Sequence, residues 1–334
     1  MRTLTKIFSA MLMILTAVSV HRAQQSIHSG IDLYKSSNYV SAITALSSAV
    51  STKEFKANGE MWNYLGLAYM ATKENKKAVK SFEKAAKLDA SKGAYRANLA
   101  YAHFSLGKFK KAASESEKAI AIDPSSVTAY SIRGLASFQL GKFDIAENDA
   151  DRVLQLDRTV ASAYVLKSRV AMERLKKRLA AGSSMKKEVE LLLSIKELLA
   201  AGKDLSKNTS DYDALNEEYD AISAFYSYFS EKQAESTTDP LVPEPNVTPL
   251  RILKKVPARY TDAARQSNVQ GTIKMAVLFA ADGKVKHILV LSRLGKGLDE
   301  NALTAARGII FEPMTRDGKP VSVVRIIEYT FSIY

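Results

Sequence analysis

Apolar and polar residues alternate over residues 271–279, which is typical of a β-strand with one buried face. The apolar face carries Ile273, Met275, Val277 and Phe279. Asp282 and Gly283 follow this segment and predict a hairpin turn, because glycine accepts the positive φ that tight turns need. Residues 285–292 continue as a second strand, so the pattern predicts an antiparallel pair.

Helical spacing replaces this alternation after residue 297. The apolar face of the predicted helix carries Leu298, Ala302, Ala305 and Ala306. Acidic residues in its first turn favour a helix start at that point. Residues 321–333 are rich in β-branched and aromatic side chains and predict a third strand, while residues 260–267 predict a short helix before the first strand. The order α-β-β-α-β therefore predicts a small α+β domain with a three-stranded antiparallel sheet over residues 251–334.

The first half of the chain is repetitive. Gly66, Ala100 and Gly134 are spaced by 34 residues and head similar patterns, and a weaker unit is headed by Gly30. In each unit a small residue stands where two helices cross, and stacked helix pairs form a solenoid. The pattern predicts repeats over residues 23–158, a degenerate repeat and capping helices over residues 159–234, and a proline-rich linker over residues 235–250.

Both patterns resemble known families. Residues 59–157 are similar to tetratricopeptide repeats and contain the motif Trp62-x-x-Leu65-Gly66-x-x-Tyr69. The C-terminal stretch resembles the TonB C-terminal domain at Pro257-x-x-Tyr260, Val269-x-Gly271-Thr272, Asp282-Gly283-Lys284-Val285, Leu298-Asp299, Phe311-x-Pro313, Gly318-x-Pro320-Val321 and Tyr329-x-Phe331. The predicted fold class is multidomain, with an all-α tetratricopeptide solenoid followed by a small α+β domain of TonB C-terminal type.

The resemblance implies a binding surface on the last strand. In the TonB family the free edge of this strand pairs with the TonB box, a short N-terminal segment of an outer-membrane transporter, by strand addition. The corresponding residues here are Val321, Ser322, Val323, Val324, Arg325, Ile326, Ile327, Glu328 and Tyr329, with Lys255, Val256 and Tyr260 from the preceding segment. An alternative is that the chain's own linker covers this edge. A second copy could also cover it, and the protein would then be a homodimer.

A second surface is the concave groove of the solenoid. The register of the repeat places Asn63, Leu67, Met70, Ala97, Tyr101, Phe104, Ser131, Leu135 and Phe138 on its inner helices. These residues are mainly apolar and aromatic, and they favour a groove for an unknown protein or a hydrophobic peptide. The alternative interpretation is ordinary packing between repeats.

Composition narrows the function classes. The net charge is +13, but no basic stretch is interleaved with aromatic residues, so we expect no nucleic-acid partner. The chain has no cysteine, which excludes disulfides, thiolate zinc sites and a cysteine nucleophile. Its four histidines are scattered and no catalytic motif is present. We therefore expect a non-enzymatic protein without cofactors.

The N-terminus has the pattern of a targeting segment. A basic start over residues 1–6 precedes an apolar run over residues 7–18, and small residues stand at a candidate cleavage site. Residues 1–19 are predicted to be a signal peptide, with an uncleaved inner-membrane anchor as the alternative. We expect the protein in the periplasm of a Gram-negative bacterium. With an anchor, an inner-membrane motor of the ExbB/ExbD type becomes a possible partner.

Together these expectations describe a periplasmic adaptor of the TonB class. Its last strand would bind a TonB-dependent outer-membrane transporter, and its solenoid would hold another protein in support of energised transport. The alternative is a tetratricopeptide scaffold that assembles envelope complexes, with the C-terminal domain as a docking or dimerising module.

Overall fold

The computed structural model describes residues 29–53, 55–181, 183–235 and 246–333. The predicted signal peptide or anchor at residues 1–19 lies outside these residues. The chain divides into two compact units, the first ending at Leu166 and the second beginning at Lys167. This boundary falls inside one helix, α9 (Ala161–Ala180).

Paired helices form the first unit. It contains α1 (residues 29–35), α2 (Tyr39–Ser51), α3 (Gly59–Ala71), α4 (Asn75–Leu88), α5 (Gly93–Ser105), α6 (Phe109–Ile122), α7 (Val127–Gln139) and α8 (Phe143–Leu156). Each helix from α2 to α7 contacts the next, and α5 also contacts α3 and α7. The predicted helical solenoid is therefore confirmed, with α3, α5 and α7 side by side.

Small residues make the helix crossings possible. A Cβ added to Gly66 in α3 would lie 2.5 Å from the ring of Phe82 in α4, which is fully buried. One repeat later Ala100 is fully buried, and a Cβ on Gly134 would lie 3.0 Å from Leu166. The 34-residue spacing thus marks the places where helices approach most closely.

Three aspartates end the second helix of successive pairs in the same way. Asp89, Asp123 and Asp157 each accept hydrogen bonds from the backbone N–H and the hydroxyl of the residue two positions later. The hydroxyl bonds, from Ser91, Ser125 and Thr159, are all 2.6 Å long. The hydroxyl bond first, and the backbone bond with it, lowers the pKa of each carboxyl from its ordinary value of 3.8.

These turns predict a pH dependence. A lowered folded-state pKa contributes stability that is present above the ordinary value of 3.8 and is lost as the pH falls through the folded-state pKa. We expect the thermal midpoint of the wild type to fall more steeply below this pH than that of the triple variant Ser91→Ala/Ser125→Ala/Thr159→Val. Circular dichroism melts from about pH 7 to about pH 2.5 measure this difference. Parallel curves would show that the turns do not contribute in this way.

The second unit combines helices with a small mixed domain. Its helical part comprises the rest of α9, a 3-10 turn (Met185–Glu188), α10 (Val189–Leu205) and α11 (Tyr212–Glu235). The mixed part comprises β1 (Val247–Thr248), β2 (Arg251–Lys254), α12 (Asp262–Gln266), β3 (Gly271–Phe279), β4 (Val285–Val290), α13 (Leu298–Arg307), β5 (Ile310–Glu312), β6 (Met314–Arg316), β7 (Lys319–Val321) and β8 (Val323–Phe331).

The main sheet has the strand order β4-β3-β8, and both pairs are antiparallel. The register of β3 and β8 runs from Gly271 opposite Phe331 to Phe279 opposite Val323. The inner faces of the strands and α13 share one buried core. The predicted α-β-β-α-β order is therefore confirmed, although the last strand begins at Val323 rather than at Val321 because the chain breaks pairing at Ser322.

The outer face of this sheet is also covered. Ala276 and Leu278 point away from the inner core, yet they are 0% and 8% exposed. Helix α11 contacts β4 and β8, the two strands on either side of β3, and its Phe229 lies beside Val324 and Ile326 of the outer face. Helix α11 therefore covers the outer face.

The contacts within the chain divide it at a different position from the predicted domain boundaries. The helices of residues 159–234 were expected to cap the solenoid, but the structure groups the chain from Lys167 onward with the mixed domain. The predicted linker at residues 235–250 is shorter than expected at its C-terminal end, since β1 (Val247–Thr248) pairs with β6. Residues 236–245 of that linker lie outside the described residues.

Candidate binding surfaces

One edge of β8 pairs with β3, and the other edge carries no strand within the described part of the chain. The carbonyl of Glu328 accepts a 2.6 Å hydrogen bond from Lys255 Nζ, and that of Val324 accepts a 3.1 Å bond from the Arg325 guanidinium. Both carbonyls therefore point away from β3. In an antiparallel strand the N–H and C=O of one residue point to the same side, and the side alternates along the strand. The N–H and C=O of Ile326 thus face the free edge.

The predicted edge residues divide by the face they occupy. Val323, Ile327 and Tyr329 are buried in the inner core, whereas Ile326 on the outer face is 47% exposed. Val324 is buried on the outer face, and Arg325 and Glu328 are exposed. Val321 and Ser322 do not belong to this edge, since Val321 pairs with Met314 in the β6–β7 hairpin and Ser322 accepts a hydrogen bond from the Ala281 N–H.

The segment before α12 lies at one end of the edge. Besides its bond to Glu328, the Lys255 ammonium lies 4.6 Å from the centre of the Tyr329 ring. Residues 255–258 and 328–330 line a cavity of about 340 Å³. Burial raises the pKa of Tyr329, whose hydroxyl has no hydrogen-bond partner within the described residues.

Tyr260 and Val256 have a different environment from Lys255. The Tyr260 hydroxyl donates to the Val269 carbonyl, and its ring lies 5.8 Å from that of Phe331, edge to face. Val256 packs against the same inner core. These two residues position the segment rather than face the free edge.

Positive charge surrounds the free edge. Arg325 and Lys255 contact carbonyl oxygens, and within the described residues no carboxylate lies in ion-pair distance of either side chain. The nearby carboxylate of Glu328 is paired with Lys274 at 3.0 Å. An incoming segment with acidic residues therefore fits this edge better than a basic one.

The residues predicted for the solenoid groove have mixed roles. Asn63 and Ala97 are buried, and Asn63 Oδ1 accepts a 2.8 Å hydrogen bond from Asn98, which joins neighbouring repeats. Tyr101 is 50% exposed, which leaves its ring accessible. The other members are half-buried and are Leu67, Met70, Phe104, Ser131, Leu135 and Phe138. Leu67, Met70 and Phe104 also pack against buried clusters that extend into the next repeat. Packing therefore involves five members of the set, and Tyr101 is the most exposed of the rest.

Burial lowers the pKa of two histidines, His103 and His287. His103 is buried, its Nδ1 lacks a hydrogen-bond partner within the described residues, and burial is the main cause that lowers its pKa. His287 is half-buried on the outer sheet face, and burial lowers its pKa as well. No group of side chains that could hold a metal ion, and no helix long and apolar enough to cross a membrane, occurs in the described parts of the chain.

Known family models match both parts of the chain. Residues 256–333 match the family described as the Gram-negative bacterial TonB protein C-terminal domain. Residues 59–91 and 97–163 match two tetratricopeptide repeat families. The chain carries tetratricopeptide repeats followed by a TonB C-terminal domain.

Solved structures that include tetratricopeptide repeat proteins are similar to part of this chain. The Arabidopsis OM64 TPR domain is 31% identical over 34% of this chain and 93% of its own, with a TM-score of 0.33. MamA is 20% identical over 66% of this chain and 98% of its own, with a TM-score of 0.40. TTC0263 from Thermus thermophilus is 18% identical over 60% and 98%, with a TM-score of 0.44. No match was found among curated proteins.

Tetratricopeptide repeats and TonB C-terminal domains are non-catalytic protein-interaction modules. Their presence implies protein partners for this chain. The TonB C-terminal domain also indicates a protein of the cell envelope.

Proposed function

We propose that this chain is a non-enzymatic adaptor of the TonB class in the periplasm. Its free β8 edge binds the TonB box of an outer-membrane transporter by strand addition, and its solenoid holds a second protein through the surface that includes Tyr101. The observation that carries the proposal is the unpaired edge centred on Ile326, with cations at Arg325 and Lys255 on either side. If residues 1–19 remain as an anchor, the same chain would transmit work from an inner-membrane motor.

The free edge supports a reversible interaction. Val324, Ile326 and Glu328 turn their N–H and C=O groups outward, and two of these carbonyls already accept hydrogen bonds from side chains. An added strand would therefore gain about four new backbone hydrogen bonds at roughly 1 kcal/mol each. This gain is modest, and it suits a partner that has to be released.

Proline at position 326 tests strand addition directly. Proline has no N–H, and its ring would stand where the incoming backbone lies, but an edge strand tolerates it because no ladder hydrogen bond is lost there. We expect Ile326→Pro to weaken binding of a synthetic TonB-box peptide by more than about tenfold. Fluorescence polarisation with peptides from the transporters of the same bacterium measures this change.

Ile326→Val is the matched control, since it keeps the N–H and a β-branched side chain. It should bind within about threefold of the wild type. Both variants should retain the wild-type melting temperature within a few degrees. A folded Ile326→Pro variant that binds as well as Ile326→Val would contradict strand addition at this edge.

A scaffold function has one observation in its favour. The same free edge of β8 could accept β8 of a second copy, because unpaired strand edges also pair with each other. The sedimentation of the full chain with and without peptide separates these outcomes. If a dimer dissociates when the peptide is added, the peptide and the second copy compete for this edge. If the dimer persists and does not bind the peptide, the scaffold function is favoured.

A further inference from the structure

A cavity of about 590 Å³ lies over the outer face of the sheet within the second unit. Its floor includes Val324, Ile326 and Glu328 of β8. Its wall includes Leu179 of α9, Met185 of the 3-10 turn and Phe229 of α11. A volume of this size is within the range of ligand pockets in proteins. The cavity is therefore large enough to receive side chains from a partner.

The cavity and the free edge share residues. Val324, Ile326 and Glu328 turn their backbone groups to the free edge, and their side chains form part of the cavity floor. The 47% exposure of Ile326 shows that this part of the floor is open. A strand that added to β8 would thus pass along one side of the cavity.

Sheet geometry fixes which side chains of an added strand reach the cavity. Residues directly opposite each other in an antiparallel pair have Cβ atoms about 5 Å apart on the same face. The residues opposite Val324 and Ile326 would therefore project towards Leu179, Met185 and Phe229. Because these wall residues are apolar, the cavity favours apolar side chains at two alternate positions.

We propose that α9, the Met185–Glu188 turn and α11 complete the strand-docking site, and that their cavity binds two apolar side chains of the added strand. The occupant is an extended segment of a partner protein with large apolar residues at alternate positions and an acidic residue near Arg325. The charge of the edge favours this partner over a second copy, whose β8 would bring another Arg325. This inference rests on the proposed strand addition and adds a selectivity that backbone pairing lacks.

Filling the cavity separates selectivity from strand addition. Ala180 is exposed at the end of α9 and lines the cavity, so Ala180→Trp should occupy the cavity without disturbing the core. Ala181→Trp is the matched control, because Ala181 is also exposed but does not line the cavity. The probes are a labelled TonB-box peptide from a transporter of the same bacterium and two variants in which alternate apolar residues are replaced by serine.

We expect the full-length wild type and Ala181→Trp to prefer the apolar peptide over the serine variants by about tenfold. Ala180→Trp should bind all three peptides within about twofold of one another. Equal discrimination by Ala180→Trp and Ala181→Trp, with peptide binding still lost in Ile326→Pro, would overturn the cavity while leaving strand addition intact. No binding of any peptide by the wild type would overturn the proposed function and this inference together.

Discussion

Replacing Phe82 with alanine should destabilise the first unit by about 3–5 kcal/mol. Phe82 is fully buried, and its ring fills the space that the missing side chain of Gly66 leaves at the α3–α4 crossing. Phe82 also packs against Leu99 in the next repeat, so the cavity would weaken two neighbouring interfaces. Because a solenoid is held together by contacts between neighbours, this loss should reduce the cooperativity of unfolding as well. Urea denaturation followed by circular dichroism measures both effects.

Phe138→Ala is the matched control for this prediction. Phe138 is half-buried in α7 and lies 5.6 Å from the ring of Phe143, so it loses less buried surface. Its substitution should cost about 1 kcal/mol. If both variants lost the same stability, the helix crossing at Gly66 would not be the main source of stability in this repeat.

The repeats could be predicted from sequence because their contacts are local and periodic. Gly66 and Phe82 are close in the chain, and the 34-residue period shows their roles several times. The register assigned Asn63 and Ala97 to inner helices, and these residues lie in α3 and α5. It could not show that Asn63 bonds to Asn98 of the next repeat, because a buried polar pair has no periodic signal.

The short strands of the second unit could not be predicted in the same way. Strands β1, β2, β5, β6 and β7 are too short to show an alternating pattern, and their partners are distant in sequence. Arg251 pairs with Glu312 at 2.8 Å across β2 and β5, and the Asn246 N–H donates to Asp317 near β1 and β6. Such long-range pairing depends on the folded chain rather than on local pattern.

The cover on the outer sheet face was missed although the sequence contains a signal for it. Thr272 and Lys274 gave β3 a polar face, and we interpreted the whole strand as half-buried. The same face continues with Ala276 and Leu278, which are both buried under the helical cover. The change from polar to apolar along one face indicated where the cover begins. Ala276 is only weakly hydrophobic, and the proline-rich segment separates α11 from β3 in the sequence. The pattern therefore did not connect the two elements.

A charge at position 276 should separate this cover from the sheet. Ala276 is fully buried on the outer face, so Ala276→Glu would force a carboxylate out of water and into a packed interface, at a cost of about 3–5 kcal/mol. The inner core packs on the other face and should remain folded. We expect the amides of α11 to exchange much faster with solvent while those of β3 and β8 keep most of their protection. Hydrogen exchange measured by mass spectrometry resolves these segments.

Thr330→Glu is the control, because Thr330 of β8 lies on the same outer face of the sheet as Ala276 but is exposed. It should leave the exchange of α11 unchanged, since its carboxylate stays in water. Unchanged exchange in Ala276→Glu as well would mean that α11 is not held by the outer face of β3. Accelerated exchange in Ala276→Glu alone would show that the TonB-type domain of this chain has a second packed face. The residues that wall the cavity beside β8 would then be held in place by the same contacts that bury Ala276.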